Sequence, residues 1–271
     1  MANPVLNFLA PALYLVTGFL IAQRLASGRP PNRGAKLGTL ALALGAVILH
    51  AALLFSGLRL DAGLNLSLTA AFSLVAWIVA ALFIAVSLFR PLDSLGILVM
   101  PLAGMTILVA WWFPAQQPIP LSSQWQGAHI VISLLAYSLL CLAAIQSLLL
   151  LAQERELKHR HPGGFIRALP PMETTEALMF RLIGMGFILL SLTVISGFGF
   201  SETVFGKPFQ LTHHALLALS AWVVYGILLI GRWRLGWRGR AAIRWTLGGF
   251  ALLVLAYFGS KFVLEVLLGR T

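Results

Sequence analysis

The sequence predicts an all-α fold: a polytopic membrane helix bundle with about eight transmembrane helices and both termini on the outer side. Three observations lead there. Hydrophobic residues make up 59% of the chain and charged residues only 10%, whereas about a quarter of a soluble protein is charged. Stretches of membrane length, each nearly free of charge, follow one another, and about 20 apolar residues suffice to cross the hydrocarbon as a helix. The basic residues gather in alternate connections. Inside lipid every backbone N–H and C=O must find its partner within the segment, so each stretch is expected to be helical. The chain, residues 1–271, reads as a single integral membrane domain.

The spans are expected at approximately 4–23, 37–57, 67–88, 95–113, 127–152, 177–198, 211–231 and 245–268. The first, "MANPVLNFLAPALYLVTGFLIAQR", has no basic residue before its apolar run, and Arg24 follows it. That order is the reverse of a cleavable signal peptide, so a retained span is expected. The second carries His50 within it, and the fourth ends in the aromatic cluster "WWFP". The fifth opens at His129 and is expected to run on through "QERELK" before Pro162, Gly163 and Gly164 break it. "METTEALMF" reads as a restart capped by Thr174 or Thr175. The seventh opens on "THHALLALSAW" and the eighth contains Lys261. Ala41 and Gly45, or Gly184 and Gly186, are small residues suited to close helix packing.

Charge placement orients the bundle. Fourteen of the nineteen Lys and Arg residues lie in 24–36, 89–94, 153–176 and 232–244, including "RWRLGWRGR". The opposite side carries Arg59, Lys207 and Arg270, while Arg181 and Lys261 fall within spans. This asymmetry predicts a multi-pass protein of a bacterial inner (cytoplasmic) membrane with periplasmic termini. The net charge of +11 then belongs to topology and to anionic lipid heads rather than to nucleic acid. The lone cysteine, Cys141, sits inside a span and offers neither a disulfide nor a CxxC pair.

Four of the six histidines fall on the outer side. His129, His213 and His214 open spans there, and His50 lies within its span, on the order of 10 Å below that surface at ~1.5 Å per residue. His159 and His161, in a basic inner loop, read as solvated. A titratable group within a span is costly and faces the bundle or a cavity, and neutral imidazole is a good ligand for iron, copper and zinc. Neighbouring residues on a helix diverge by about 100°, so only one of His213 and His214 can face the bundle. No carboxylate lies mid-membrane, where a proton relay or a coupled cation transporter would need one. No catalytic triad, Gly-rich phosphate loop or HExxH occurs, so an enzyme is not expected. Outward histidines among apolar walls suit haem, with Lys261 as a candidate for a propionate and Glu265, four residues on, as its competing ion-pair partner. The aromatic residues at 111–114, Trp125 and Phe198 read as an interfacial belt or as a shelf beside a haem edge.

Two long stretches carry a resemblance: "WQGAHIVISLLAYSLLCLAAIQSLLLLAQERELK" and "GKPFQLTHHALLALSAWVVYGILLIGRWRLGWRGRAAIRWTLGGFALLVLAYFGSKFVLE". "GWRGRAA", with "YFGSKF" about a span later, is their most specific part. Over 125–268 the chain resembles the cytochrome c assembly family of CcsA/CcmC-like haem-handling membrane proteins, in its HemX/YpjD-type branch. The resemblance implies haem binding or trafficking at the periplasmic face, linked to cytochrome c assembly, with other assembly proteins as partners besides the lipid bilayer. The implied cofactor is haem b, with His129 and His213 as iron ligands. His214 is the alternative to His213, His50 a deeper ligand and Lys261 a cofactor-binding residue. "GFGFSETVFGKPFQ" stands where larger members carry a tryptophan-rich loop, and no histidine follows the last span, which speaks against a haem-ligase role. The histidine that CcsA carries near the inner end of the penultimate span is also replaced, within "ILLIGRW". Two other readings stay open. One is divalent-cation transport, or an accessory to it, through His129, His213, Asp61 and Glu202. The other is a membrane regulator that meets a haem-biosynthetic enzyme through "KHRHPGGFIR".

Overall fold

The computed structural model describes residues 4–27, 33–60, 63–89, 93–116, 118–119, 123–158, 170–199 and 212–267. Within these, eight helices are long and apolar enough to cross a membrane. They are α1 (Pro4–Ala26), α2 (Arg33–Leu58), α3 (Leu68–Phe89), α4 (Asp93–Trp112), α5 (Gln124–Lys158), α6 (Met172–Gly199), α7 (His213–Leu235) and α8 (Gly239–Leu267). Short extended pieces at 59–60, 63–65 and 118–119 are the other regular elements described.

Two boundaries depart from the sequence expectation and one follows it. α6 begins at Met172, directly after Pro170 and Pro171, so Thr174 and Thr175 lie inside the helix rather than capping it. Proline fits a helix start because its missing N–H is one that the first turn leaves unpaired anyway. α8 begins at Gly239, several residues before the apolar run. Its first turns are amphipathic, with Ala242 and Ile243 buried and Arg240 and Arg244 exposed. α5 does continue past the apolar run to Lys158, and its 35 residues rise to about 52 Å, well beyond the ~30 Å hydrocarbon thickness.

The chain divides into two compact units. The first comprises Met1–Asp61, Asn65–Gln116 and Leu151–Thr174, and the second Ala62–Leu64, Gln117–Leu150 and Thr175–Thr271. In the first, α1 packs on α2 and α4, and α3 packs on α2 and α4. The α1–α4 contact rests on two reciprocal proline–glycine pairs. A Cβ on Gly18 would meet Pro101 Cδ at 3.0 Å, and one on Gly104 would meet the Pro11 backbone at 3.3 Å. Each proline thickens its own helix where it also removes a backbone hydrogen bond, and the glycine opposite makes room for it. At the other end of the same unit Arg24 donates to the Ala35 carbonyl and to Thr39 Oγ1, joining the end of α1 to the start of α2.

In the second unit α7 lies along α8. Their connection is tight. Gly236 adopts a left-handed conformation (φ 67°) as the residue ending α7, which a side chain would strain. Trp237 N then donates back to Gly231 O at 3.1 Å. Glu176 on α6 clamps this corner, accepting from Arg232 Nη1 at 2.7 Å and from Gly239 N at 3.2 Å. A carboxylate there meets the positive end of the α8 dipole. Gly186 packs as expected, its Cα facing Leu140, whose Cγ would lie 2.7 Å from an added Cβ. Gly45 and Gly184 do not: a Cβ at either would meet nothing within 4 Å among the described residues.

Candidate functional site

The second unit brings together the histidine-bearing ends of α5 and α7 with the last turns of α6 and α8. Thr212 sets the start of α7, since its hydroxyl accepts from Ala215 N at 3.3 Å. His213 and His214 therefore occupy the first turn, and their side chains diverge. His214 turns onto α8, with Nδ1 2.7 Å from the carbonyl oxygen of Ala256. Both histidines are exposed, and His213 makes no hydrogen bond among the described residues. The sequence expectation preferred His213 for the bundle-facing role; of the two, His214 is the one that contacts α8.

His129, in the second turn of α5, places Nδ1 2.7 Å from Ser196 Oγ on α6. The Ser196 hydroxyl also lies 3.1 Å from Thr193 O; when it donates there, the imidazole is the donor in this contact. At His214 the imidazole is the donor, because a carbonyl oxygen only accepts. Both rings then carry their proton on Nδ1, which leaves Nε2 as the lone-pair nitrogen in each. That is the tautomer an iron or zinc ligand requires, oriented through its other nitrogen. A polar ladder continues below His129, where Ser133 Oγ donates to His129 O at 2.6 Å and approaches Thr193 Oγ1 at 3.4 Å.

The last turns of α8 are π-helical at Leu255–Gly259 and Val263–Leu267, a wider winding that recurs at functional sites. It presents Tyr257 to His214, ring centres 6.3 Å apart, and Lys261 to the Tyr257 face at 5.7 Å. Lys261 Nζ also pairs with Glu265 Oε1 at 3.3 Å, the partner the sequence suggested. Trp125 is exposed beside this end, as a belt residue should be.

His50 belongs to the first unit. It is fully buried, with Nδ1 3.2 Å from the Tyr14 hydroxyl and Nε2 2.8 Å from Ser73 Oγ. Both ring nitrogens are engaged, so ligation there would first have to break a buried hydrogen bond. Asp61, Glu202, His159, His161 and most of "KHRHPGGFIR" lie outside the described residues. Sequence reasoning missed Ser196, Tyr257, Tyr14 and Ser73. Tyr257 lay in the "YFGSKF" stretch without a role assigned to it; for the other three the only signal was polarity inside an apolar span, which does not say which partner it meets.

Eight helices long and apolar enough to cross a membrane, among the described residues, define a class, the multi-pass membrane proteins. Residues 37–268 match the family described as Cytochrome C assembly protein, and the chain belongs to that family. The match begins well before the 125–268 region in which the resemblance was strongest. The chain is 30% identical to inner membrane protein YpjD of Escherichia coli K12, over 97% of this chain and 99% of that protein. It is 26% identical to protein HemX of Brevibacillus brevis, over 68% and 69%. It is 28% identical to cytochrome c biogenesis protein CcsA of Thermosynechococcus vestitus, over 60% and 65%. A 28.8 kDa protein of Azospirillum brasilense is 39% identical, but the chain spans only about half (54%) of its length.

Proposed function

We propose that this chain is a non-enzymatic haem-binding or haem-trafficking protein of a bacterial inner membrane, acting at the periplasmic side in cytochrome c assembly. One observation carries the reading: His129 and His214, from separate helices of one unit, are each oriented by a hydrogen bond at Nδ1, to Ser196 Oγ and to the Ala256 carbonyl, so Nε2 is the nitrogen each would offer a metal. If haem binds here, His129 and His214 are the residues that would hold its iron. The family and the names of its relatives HemX and CcsA support the same direction.

In this reading haem b is bound by His129 and His214, with His213 at the rim. Lys261 meets a propionate by exchanging its Glu265 partner. Bound iron supplies the redox chemistry; the chain's own contribution is to orient both imidazoles through Ser196 and the Ala256 carbonyl. The test is the absorption spectrum of purified protein supplied with haem. A Soret band is expected in the wild type and in His213→Ala, and it is lost or shifted in His129→Ala and His214→Ala. Absence of a band in the wild type, or its persistence in both latter variants, would overturn the proposal.

A further inference from the structure

The first unit contains a cavity of its own, about 400 Å³, at the end where α2 and α4 finish. Its floor is polar and deeply buried, made by Asn7, His50 and Ser73, which are 4%, 0% and 4% exposed. Its walls are apolar, with Leu53, Leu54, Ile107 and Trp111 among them. The mouth is built rather than open by accident. Asn65 Nδ2 donates to Ala115 O at 3.1 Å, Ser67 Oγ to the same carbonyl at 3.0 Å, and Thr69 Oγ1 to Phe113 O at 3.1 Å.

Two features define what would fit. Among the described lining residues none is Asp, Glu, Lys or Arg, so an ionised group would find no countercharge from them, at a cost of several kcal/mol in a low dielectric. That argues against haem, whose propionates need cations. Second, the floor holds a surplus donor. Asn7 Nδ2 is buried with no hydrogen-bond partner among the described residues, whereas both nitrogens of His50 are engaged. A buried unpaired donor is destabilising unless a ligand supplies the acceptor.

We infer that this cavity is a second binding site, distinct from the histidine pair, for an uncharged ring compound whose carbonyl oxygen accepts from Asn7. The apolar walls take the ring, and the volume lies within the range of small-molecule pockets. Quinones are the class that combines a neutral ring, carbonyl oxygens and membrane solubility. Such a ring could arrive from the lipid on a prenyl tail or from the aqueous side without one.

The experiment uses the full chain in lipid nanodiscs and equilibrium binding of two probes, 2-methyl-1,4-naphthoquinone and its prenylated counterpart. Saturable binding of at least one probe is expected, and which one binds identifies the source. Asn7→Leu, close in volume but without the donor, is expected to weaken binding by at least about tenfold with its thermal unfolding temperature unchanged or raised. Ile107→Trp, which fills the cavity from α4, is expected to abolish binding and guards against misfolding of the first variant. Non-saturable uptake of both probes by the wild type, or undiminished binding in the two folded variants, would overturn the site. Neither variant touches the histidine pair, so the haem band reports on the other proposal separately.

Discussion

Ser196 shows how much can rest on one hydroxyl in an apolar helix. When it donates to Thr193 O and accepts from His129, it sets which nitrogen of that imidazole carries the proton. Groups that orient a metal-bound histidine typically change affinity by about 10–100-fold when removed. Ser196→Ala is therefore expected to weaken haem binding by about that factor in a titration followed at the Soret band. Thermal stability should fall by less than about 1 kcal/mol, as for most hydrogen bonds inside membranes. His50 predicts the opposite balance. His50→Leu leaves the Tyr14 hydroxyl and Ser73 Oγ without their shared partner and should cost about 1–3 kcal/mol in detergent unfolding. Adding Tyr14→Phe, which deletes one orphan, should recover part of that loss.

Helix contacts depend on where small residues meet large ones, and not every glycine in a span has that role. Gly104 faces the Pro11 backbone at 3.3 Å, and backbone cannot move aside as a side-chain tip can. Gly104→Val is expected to separate α1 from α4 and to destabilise the first unit by about 1–3 kcal/mol, the usual cost of overpacking. Gly45→Ala, with open space around it, should be neutral or slightly stabilising by helix propensity. Unfolding of both variants side by side checks the contrast. In the second unit Glu176 joins α6 to the α7–α8 corner through Arg232, whose side chain is largely shielded from solvent. Glu176→Gln is expected to cost about 1–2 kcal/mol and to speed cleavage near Trp237 in limited proteolysis.

At the scale of the whole molecule, the surface is the inverse of a soluble protein's. At most 44% of the most apolar window of any span is buried within the protein. Phe19 and Phe55 in the first unit, and Ile188 and Ile230 in the second, are all more than half exposed, which suits a lipid environment better than water. The distribution of basic residues makes a topology prediction that fusions can check. A C-terminal alkaline phosphatase should be active and a C-terminal green fluorescent protein dark, because both termini are expected on the periplasmic side. The reverse pattern would turn the histidine end towards the cytoplasm.

From the sequence alone came the membrane, the helix count, the approximate spans and the family, because apolar run length and charge asymmetry are properties of the linear chain. The overlong α5 and the ion pair of Lys261 with Glu265 were legible too, since both lie within one helix. What tertiary structure decided was every pairing between helices. It turned His214 rather than His213 onto α8, set Ser196 beside His129, buried His50 between Tyr14 and Ser73, and left the Asn7 amide facing a cavity. Span-length patterns specify that a helix exists and roughly where it ends, but in a chain that is apolar all round they do not specify its rotation. That rotation follows from packing against neighbours, and it decides which polar atoms meet.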